Sequence, residues 1–302
     1  MKIQSSLLAL GASIVFSNVL FTSEAKALVY GSSIFTIENF FLVSDAPGNP
    51  TKSTGINILS ESRNGEMVVG LNGIQTGSTD TTSVPAATLN LAPICLGTSC
   101  PGAADESTVA FTTGTLSRSD MSVSGSIFGS GGQGFTRSDA YADTANNTGN
   151  ANATIANNVL ATLSFTLSES DTLAFKTDAS GFLKAFVDPI HFGTGSNANA
   201  SMSFSIDVTN NVGANILKWS PGELNRGVSA FANAGFNSVG GAFTETNLFS
   251  PFVNLSAGTY NVTIQQKSTA REEAKVEVPE PGLLALMAIG LLGFAGSARR
   301  FS

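Results

Sequence analysis

From residue 159 onward, apolar and small polar residues alternate with a period of two, and nothing else in the chain limits its fold as strongly. Leu163, Phe165 and Leu167 are interleaved with Ser164 and Thr166. Leu183, Ala185 and Val187 repeat the pattern, as do Met202, Phe204, Ile206 and Val208, and Tyr260, Val262 and Ile264 after Ala257-Gly258. A period of two sends successive side chains to opposite faces of an extended strand, so each segment reads as a half-buried strand. Turn-like breaks rich in Gly, Asn, Asp and Ser separate them, including Ser168 to Asp171 ahead of Leu173–Phe175. No internal stretch sustains a period of 3.6 with helix caps. The expectation is an all-β fold, an antiparallel β-sandwich of jelly-roll-like type. The 21 Phe, against three Tyr and one Trp, suit a space between sheets, since Phe brings no polar atom that needs a partner.

The part before residue 159 is less regular. Ile34–Val43 and Glu66–Leu71 read as strands. Residues 75–108, rich in Thr, Ser, Pro and Gly, read as a long loop, and 129–134 as a flexible turn. Residues 139–158 are biased to Ala, Asn and Thr, and Asn150–Ile155 is either a small-residue strand or a surface tract. With no clean linker, residues 28–278 are expected to form one ectodomain with loop insertions. Arg271-Glu272-Glu273 and Pro279 would form a short stalk below it.

Both ends carry addresses. Met1-Lys2, an apolar stretch from Leu7 to Phe21, and Ala25-Lys26-Ala27 are the parts of a secretory signal peptide over residues 1–27. Small residues at Ala25 and Ala27 fit a peptidase with narrow pockets, so signal peptidase is expected to cut after Ala27; the alternative is an uncleaved anchor helix. At the other end, Pro279-Glu280-Pro281 precedes an apolar run, 282–298, then Arg299-Arg300-Phe301-Ser302. As a helix those residues rise about 25 Å, just short of a hydrocarbon core of about 30 Å, and snorkelling arginines extend the reach. One C-terminal transmembrane helix is therefore expected. Arg299 and Arg300 hold its end on the cytoplasmic side, and the body lies outside the inner membrane.

The Pro-Glu-Pro, the Gly-rich span with Gly290, Gly293 and Gly296, and the closing Arg-Arg resemble a PEP-CTERM sorting signal over residues 279–302. That resemblance implies processing by an exosortase, a membrane transpeptidase-like protease of Gram-negative-type bacteria often encoded beside exopolysaccharide genes. It also implies loss of the helix, with release or attachment at the cell surface or in the extracellular matrix. An ordinary stop-transfer anchor is the plainer alternative.

Charge excludes some partners. Only 12% of residues are charged, with net charge −7. Setting aside Lys2, Lys26, Arg299, Arg300 and Glu24, residues 28–280 hold 11 basic and 21 acidic side chains, a net −10. A nucleic-acid binder needs clustered Lys and Arg, so no nucleic-acid partner is expected. Cys95 and Cys100, in an exported chain, are expected to form one disulfide; a loop this small stabilises by about 2 kcal/mol at best. A redox pair would want Cys-x-x-Cys, and zinc would want more ligands than two Cys and one distant His supply.

Candidate chemistry is sparse. His191 is the only histidine, and no Gly-x-Ser-x-Gly accompanies it. Asp188 before it reads as the turn that ends a strand. Asp105-Glu106, Glu169/Asp171, Asp139/Asp143 and Glu272-Glu273 are the carboxylate pairs from which a polysaccharide hydrolase would be built. Asp139 to Asp143 with Asn146 and Asn147 is oxygen-rich, making Ca²⁺ the one candidate cofactor, although the EF-hand pattern is missing. The Gly129–Gly134 run lacks the strand-to-helix context of a dinucleotide loop. The leading expectation is a non-enzymatic surface or matrix protein with a structural or adhesive role linked to exopolysaccharide or biofilm, with Ser/Thr-rich segments open to O-glycans. The first alternative is a carbohydrate-binding module, for which Trp219 and Tyr260 alone make a poor stacking platform.

Overall fold

The computed structural model describes residues 29–275, apart from 46–50, 53–55, 84–87, 99, 101–113, 129–130, 144–146, 157–162, 189–194 and 233–237. The leader, the apolar run 282–298 and His191 lie outside the described residues. No helix among the described residues is long and apolar enough to cross a membrane.

The strands run β1 (Val29–Ser44), β2 (Thr51–Lys52), β3 (Ile56–Ser60), β4 (Arg63–Leu71), β5 (Ile74–Thr82) and β6 (Leu89–Gly97). Next come β7 (Leu116–Ser124), β8 (Gly132–Ala142), β9 (Asn147–Ala156), β10 (Leu163–Leu167), β11 (Asp171–Val187) and β12 (Asn197–Asn210). β13 (Asn215–Trp219), β14 (Arg226–Phe231), β15 (Ser238–Phe249), β16 (Val253–Leu255) and β17 (Gly258–Ala274) complete the body. They build two antiparallel sheets. The first has the order β15-β11-β1-β8-β7-β6, with β2 on β1 and β16 on β11; the second has β13-β12-β17-β9-β4-β5, with β14, β10 and β3 alongside. The first and last strands are thus central, one in each sheet, and they face each other.

One core joins the two inner faces: Phe35, Ile37, Phe40 and Phe175 from the first sheet meet Phe165, Phe204, Ile206 and Val262 from the second. Phe204 packs edge-on against both Phe40 and Trp219, with centroids 5.8 and 5.9 Å apart. At the other end only small residues fit: Val29, Ala142, Ala185, Val187, Ala198 and Ala274. Between the two runs a polar seam stitches the sheets. Gln266 donates to the carbonyl of Phe35 at 2.9 Å, Thr136 and Ser268 share a hydrogen bond of 2.8 Å, and Ser138 donates to the Ser268 carbonyl at 3.0 Å. Each of these polar groups is buried, so each needs such a partner.

Three expectations need correction. Residues 75–108 are not one long loop, because β5 and β6 lie within them. β5 is an edge strand whose Thr and Ser face solvent, so it lacks the apolar alternation that marks a half-buried strand. Its turn is nonetheless written in the sequence: Asn72 and Gly73 both have left-handed backbone, with φ of 51° and 82°, as a two-residue hairpin requires. Arg271-Glu272-Glu273 is not a stalk; β17 runs through it to Ala274, and the Glu272 side chain is fully buried. Phe is not confined to the space between the sheets, since Phe231, Phe249 and Phe252 are exposed.

Candidate functional site

The candidate residues scatter. Cys95, in β6, and Cys100 are joined by a disulfide with Cα atoms 5.8 Å apart. Trp219 and Tyr260 are both buried, and the Tyr260 hydroxyl donates to the Ser256 carbonyl at 2.8 Å. Neither is available to stack on a ligand. Asp105, Glu106 and Asn146 lie outside the described residues, as do Ala25, Ala27, Pro279, Glu280, Pro281, Arg299 and Arg300.

Asp139 is already engaged. It sits in the middle of β8 and accepts from Ser32 at 2.6 Å and from Arg137 at 2.5 Å, with both members of the ion pair buried. Two residues along the same face, Tyr141 stacks on Tyr30, which in turn stacks on Phe186. Burial raises the Tyr30 phenol to about 12 and pushes Tyr141 up as well, so both stay neutral across the physiological range. Asp143 accepts from Thr115 at 3.0 Å, and Asp171 from the backbone of Thr172. Among the described residues no group of three or more His, Cys, Asp or Glu is placed to hold a metal ion.

Glu272 and Glu273 point to opposite faces of β17. Glu273 pairs with Lys275 at 3.0 Å and accepts from Asn197, and these contacts hold its carboxyl below its ordinary value. Glu272 faces the interior, and neither carboxyl oxygen has a hydrogen-bond partner among the described residues. Burial, with a smaller push from the Glu273 charge, lifts it to about 8. It is therefore a neutral acid at pH 7.

A second buried ion pair closes one edge of the core. Arg63, at the start of β4, meets Glu61 at 2.7 Å and also donates to the Gly125 carbonyl, while Ser126 donates to Glu61 at 3.2 Å. Beside it lies a cavity of about 60 Å³ walled by Ile37, Phe40, Leu163 and Phe204. That is room for a few waters and too little for an organic ligand.

The outer face of the first sheet holds an arrangement that no motif announced. β1 and β15 each carry a β-bulge beside Asp178 of β11, the first between Glu38 and Phe41, opposite Thr177, and the second between Glu245 and Leu248, opposite Asp178 itself. Asn39 and Asn247 take the left-handed position of these bulges, with φ of 49° and 55°. Both donate to Asp178: the Asn39 amide to Oδ2 at 2.8 Å, the Asn247 backbone N–H to Oδ1 at 2.7 Å. Partial burial alone would raise the Asp178 carboxyl; the two donors and the Lys176 charge outweigh it and hold the group below its usual value. Directly alongside, Phe41, Lys176 and Phe249 stand opposite one another on the same three strands. Lys176 lies 5.8 Å over the Phe249 ring, and Phe252 stacks on Phe249 at 6.4 Å and 24°. The legible signal was a change of parity in β1: Phe35 and Ile37 face inward, then Phe40 and Leu42 do, so one residue too many lies between.

Below the body the chain has little slack. β17 ends at Ala274, and Pro279 follows Lys275 by four residues, about 14 Å at full extension. The comparison that decides the role of this tail is with protein families, and it covers residues 277–300. Those residues are a PEP-CTERM protein-sorting motif. The PEP-CTERM motif marks the chain as an exported protein held at the membrane before an exosortase processes it. The matched stretch spans Pro279, Glu280, Pro281, Arg299 and Arg300. No curated protein and no solved structure matches the chain.

Proposed function

We propose that the chain is a non-enzymatic component of the cell surface or extracellular matrix, with a structural or adhesive role beside exopolysaccharide in a biofilm. The observation that carries the reading is the order of parts: an all-β body whose last strand ends at Ala274, followed directly by the PEP-CTERM motif at 277–300. In this reading signal peptidase removes residues 1–27, the segment 282–298 spans the inner membrane, and the β-sandwich body stands outside it. The body's titratable groups support a passive role. Asp139, Glu61 and Glu273 are held in ion pairs, and Glu272 is sealed inside as a neutral acid. A polysaccharide hydrolase would instead need two carboxyls facing one cleft.

The test is Glu280→Ala, made in the exporting host and followed by fractionation and gel mobility. The variant is expected to stay in the inner-membrane fraction at its uncut size, with the processed form reduced at least tenfold. Unchanged processing would leave the tail as an ordinary stop-transfer anchor and overturn the sorting part of the reading.

A further inference from the structure

We propose that the double-bulge patch on the outer face of the first sheet is a binding site for neutral oligosaccharide. The inference rests on the reading of the body as an exposed surface component and adds a ligand class to it. Three observations carry it.

The first is chemical. A sugar ring offers an apolar C–H face and a rim of hydroxyls that both donate and accept. The patch offers two stacked, nearly parallel rings, Phe249 and Phe252, which are 37% and 39% exposed, with the Lys176 ammonium over Phe249. Next to them is a polar row with spare capacity. Asp178 keeps free lone pairs, and the Asn39 carbonyl oxygen and the Asn247 side-chain amide have no partner among the described residues. The bulges fix this row in place, so little side-chain freedom remains to be lost on binding.

The second is size and charge. At about 200 Å² per Phe, the two rings expose roughly 150 Å² together. That apolar area matches two or three sugar units, whereas a protein partner would bury about 800 Å² and so would have to cover much of the polar surface around the rings as well. The net charge of −10 on residues 28–280 repels an anionic polymer and leaves a neutral one unaffected.

The third is position. The tail departs next to Ala274, which packs with Val29 at the small-residue end of the core. Phe41 lies twelve residues along β1 from Val29, about 40 Å away. The patch is therefore carried at the end of the body far from the sorting tail, where a glycan outside the membrane is reached first.

The experiment is isothermal titration of the protein purified from the exporting host. The probes are cellohexaose, maltohexaose and mannohexaose as neutral hexasaccharides, and hexagalacturonate as the anionic one. At least one neutral probe is expected to bind at millimolar concentration or below, and hexagalacturonate is not. The double variant Phe249→Ala/Phe252→Ala should weaken binding at least tenfold. Asn247→Gly keeps the left-handed backbone while deleting the amide, so it serves even if the double variant misfolds; it should weaken binding about fivefold. No heat with any neutral probe, or undiminished affinity in both variants, would overturn the proposal. So would a protein dimer seen by sedimentation that both sets of substitutions dissolve, because the patch would then belong to a second copy. Titration in solution is independent of sorting: a null result leaves the processing assay standing, and failed processing leaves the titration interpretable.

Discussion

Glu272→Gln is expected to stabilise the protein by about 3 kcal/mol at pH 7. The wild-type carboxyl is fully buried between the sheets, has no hydrogen-bond partner among the described residues, and holds its proton up to about pH 8. In the unfolded chain the same group ionises near its ordinary value of 4.5. Between those two points the folded state binds one more proton than the unfolded state, so stability falls as pH rises, by about 1.4 kcal/mol per unit. The fall begins near pH 4.5 and levels off above about 8. Gln fills the same space and never ionises, so the variant should show no such slope. The groups close enough to modify the effect are few: Glu273 adds to it, while Gly149 and Ala198, paired with Glu272 on the flanking strands, are not titratable. Chemical denaturation at pH 4.5, 7 and 9 checks this. The two proteins should converge at pH 4.5 and separate at pH 7; curves that stay parallel would show that Glu272 is solvated or paired.

Gly31→Ala should destabilise by about 3 kcal/mol or prevent folding, although only a methyl group is added. A Cβ at Gly31 would lie 2.3 Å from the carbonyl oxygen of Asn199 and 2.9 Å from that of Arg271. Both are backbone atoms of the facing sheet, on β12 and β17, so neither can swing away as a side-chain tip would. Relief requires the sheets to move apart at the end where Val29, Ala142, Ala198 and Ala274 leave no slack, and overpacking of this kind costs about 1–3 kcal/mol or more. Gly241→Ala in β15 is the matched control, since nothing lies within 4 Å of its added carbon. Its denaturation midpoint should be close to that of the wild type. Equal effects at the two glycines would mean that the sheets do not meet as closely as Gly31 and Asn199 indicate.

Strands were readable where one face is apolar and the other polar. Met202 to Val208 and Tyr260 to Ile264 alternate because β12 and β17 present one face to the core and the other to solvent. The same rule fails where both faces are polar or both are buried. β5 is polar on each side, and in β8 the inward Thr136 and Ser138 and the outward Arg137 and Asp139 are all buried. From sequence alone, a Ser that stitches two sheets looks the same as a Ser facing water. Glu272 was misread for a related reason: a charged residue within Arg-Glu-Glu normally marks solvent, and only its place in the alternation of β17 shows that it points inward.

The patch around Asp178 was hidden because three distant segments build it, around Asn39, Asp178 and Asn247. Neither the pairing of β1 with β11 nor that of β11 with β15 is encoded locally. Phe249 and Phe252 carried no sign of exposure, since Phe is ordinarily a core residue. The sorting tail was legible for the opposite reason. Its parts are contiguous and are read as a linear string, so no folding is needed to assemble Pro279, Glu280, Pro281, Arg299 and Arg300 into one signal.

The central claim is that a β body is exported and then freed of a C-terminal sorting tail. Intact-mass spectrometry of the protein recovered from outside the inner membrane of its host addresses it most directly. The expected species begins at Leu28 and ends within Pro279–Pro281, with any glycan appearing as added mass. A species that retains Met1 and runs through to Ser302 would contradict it.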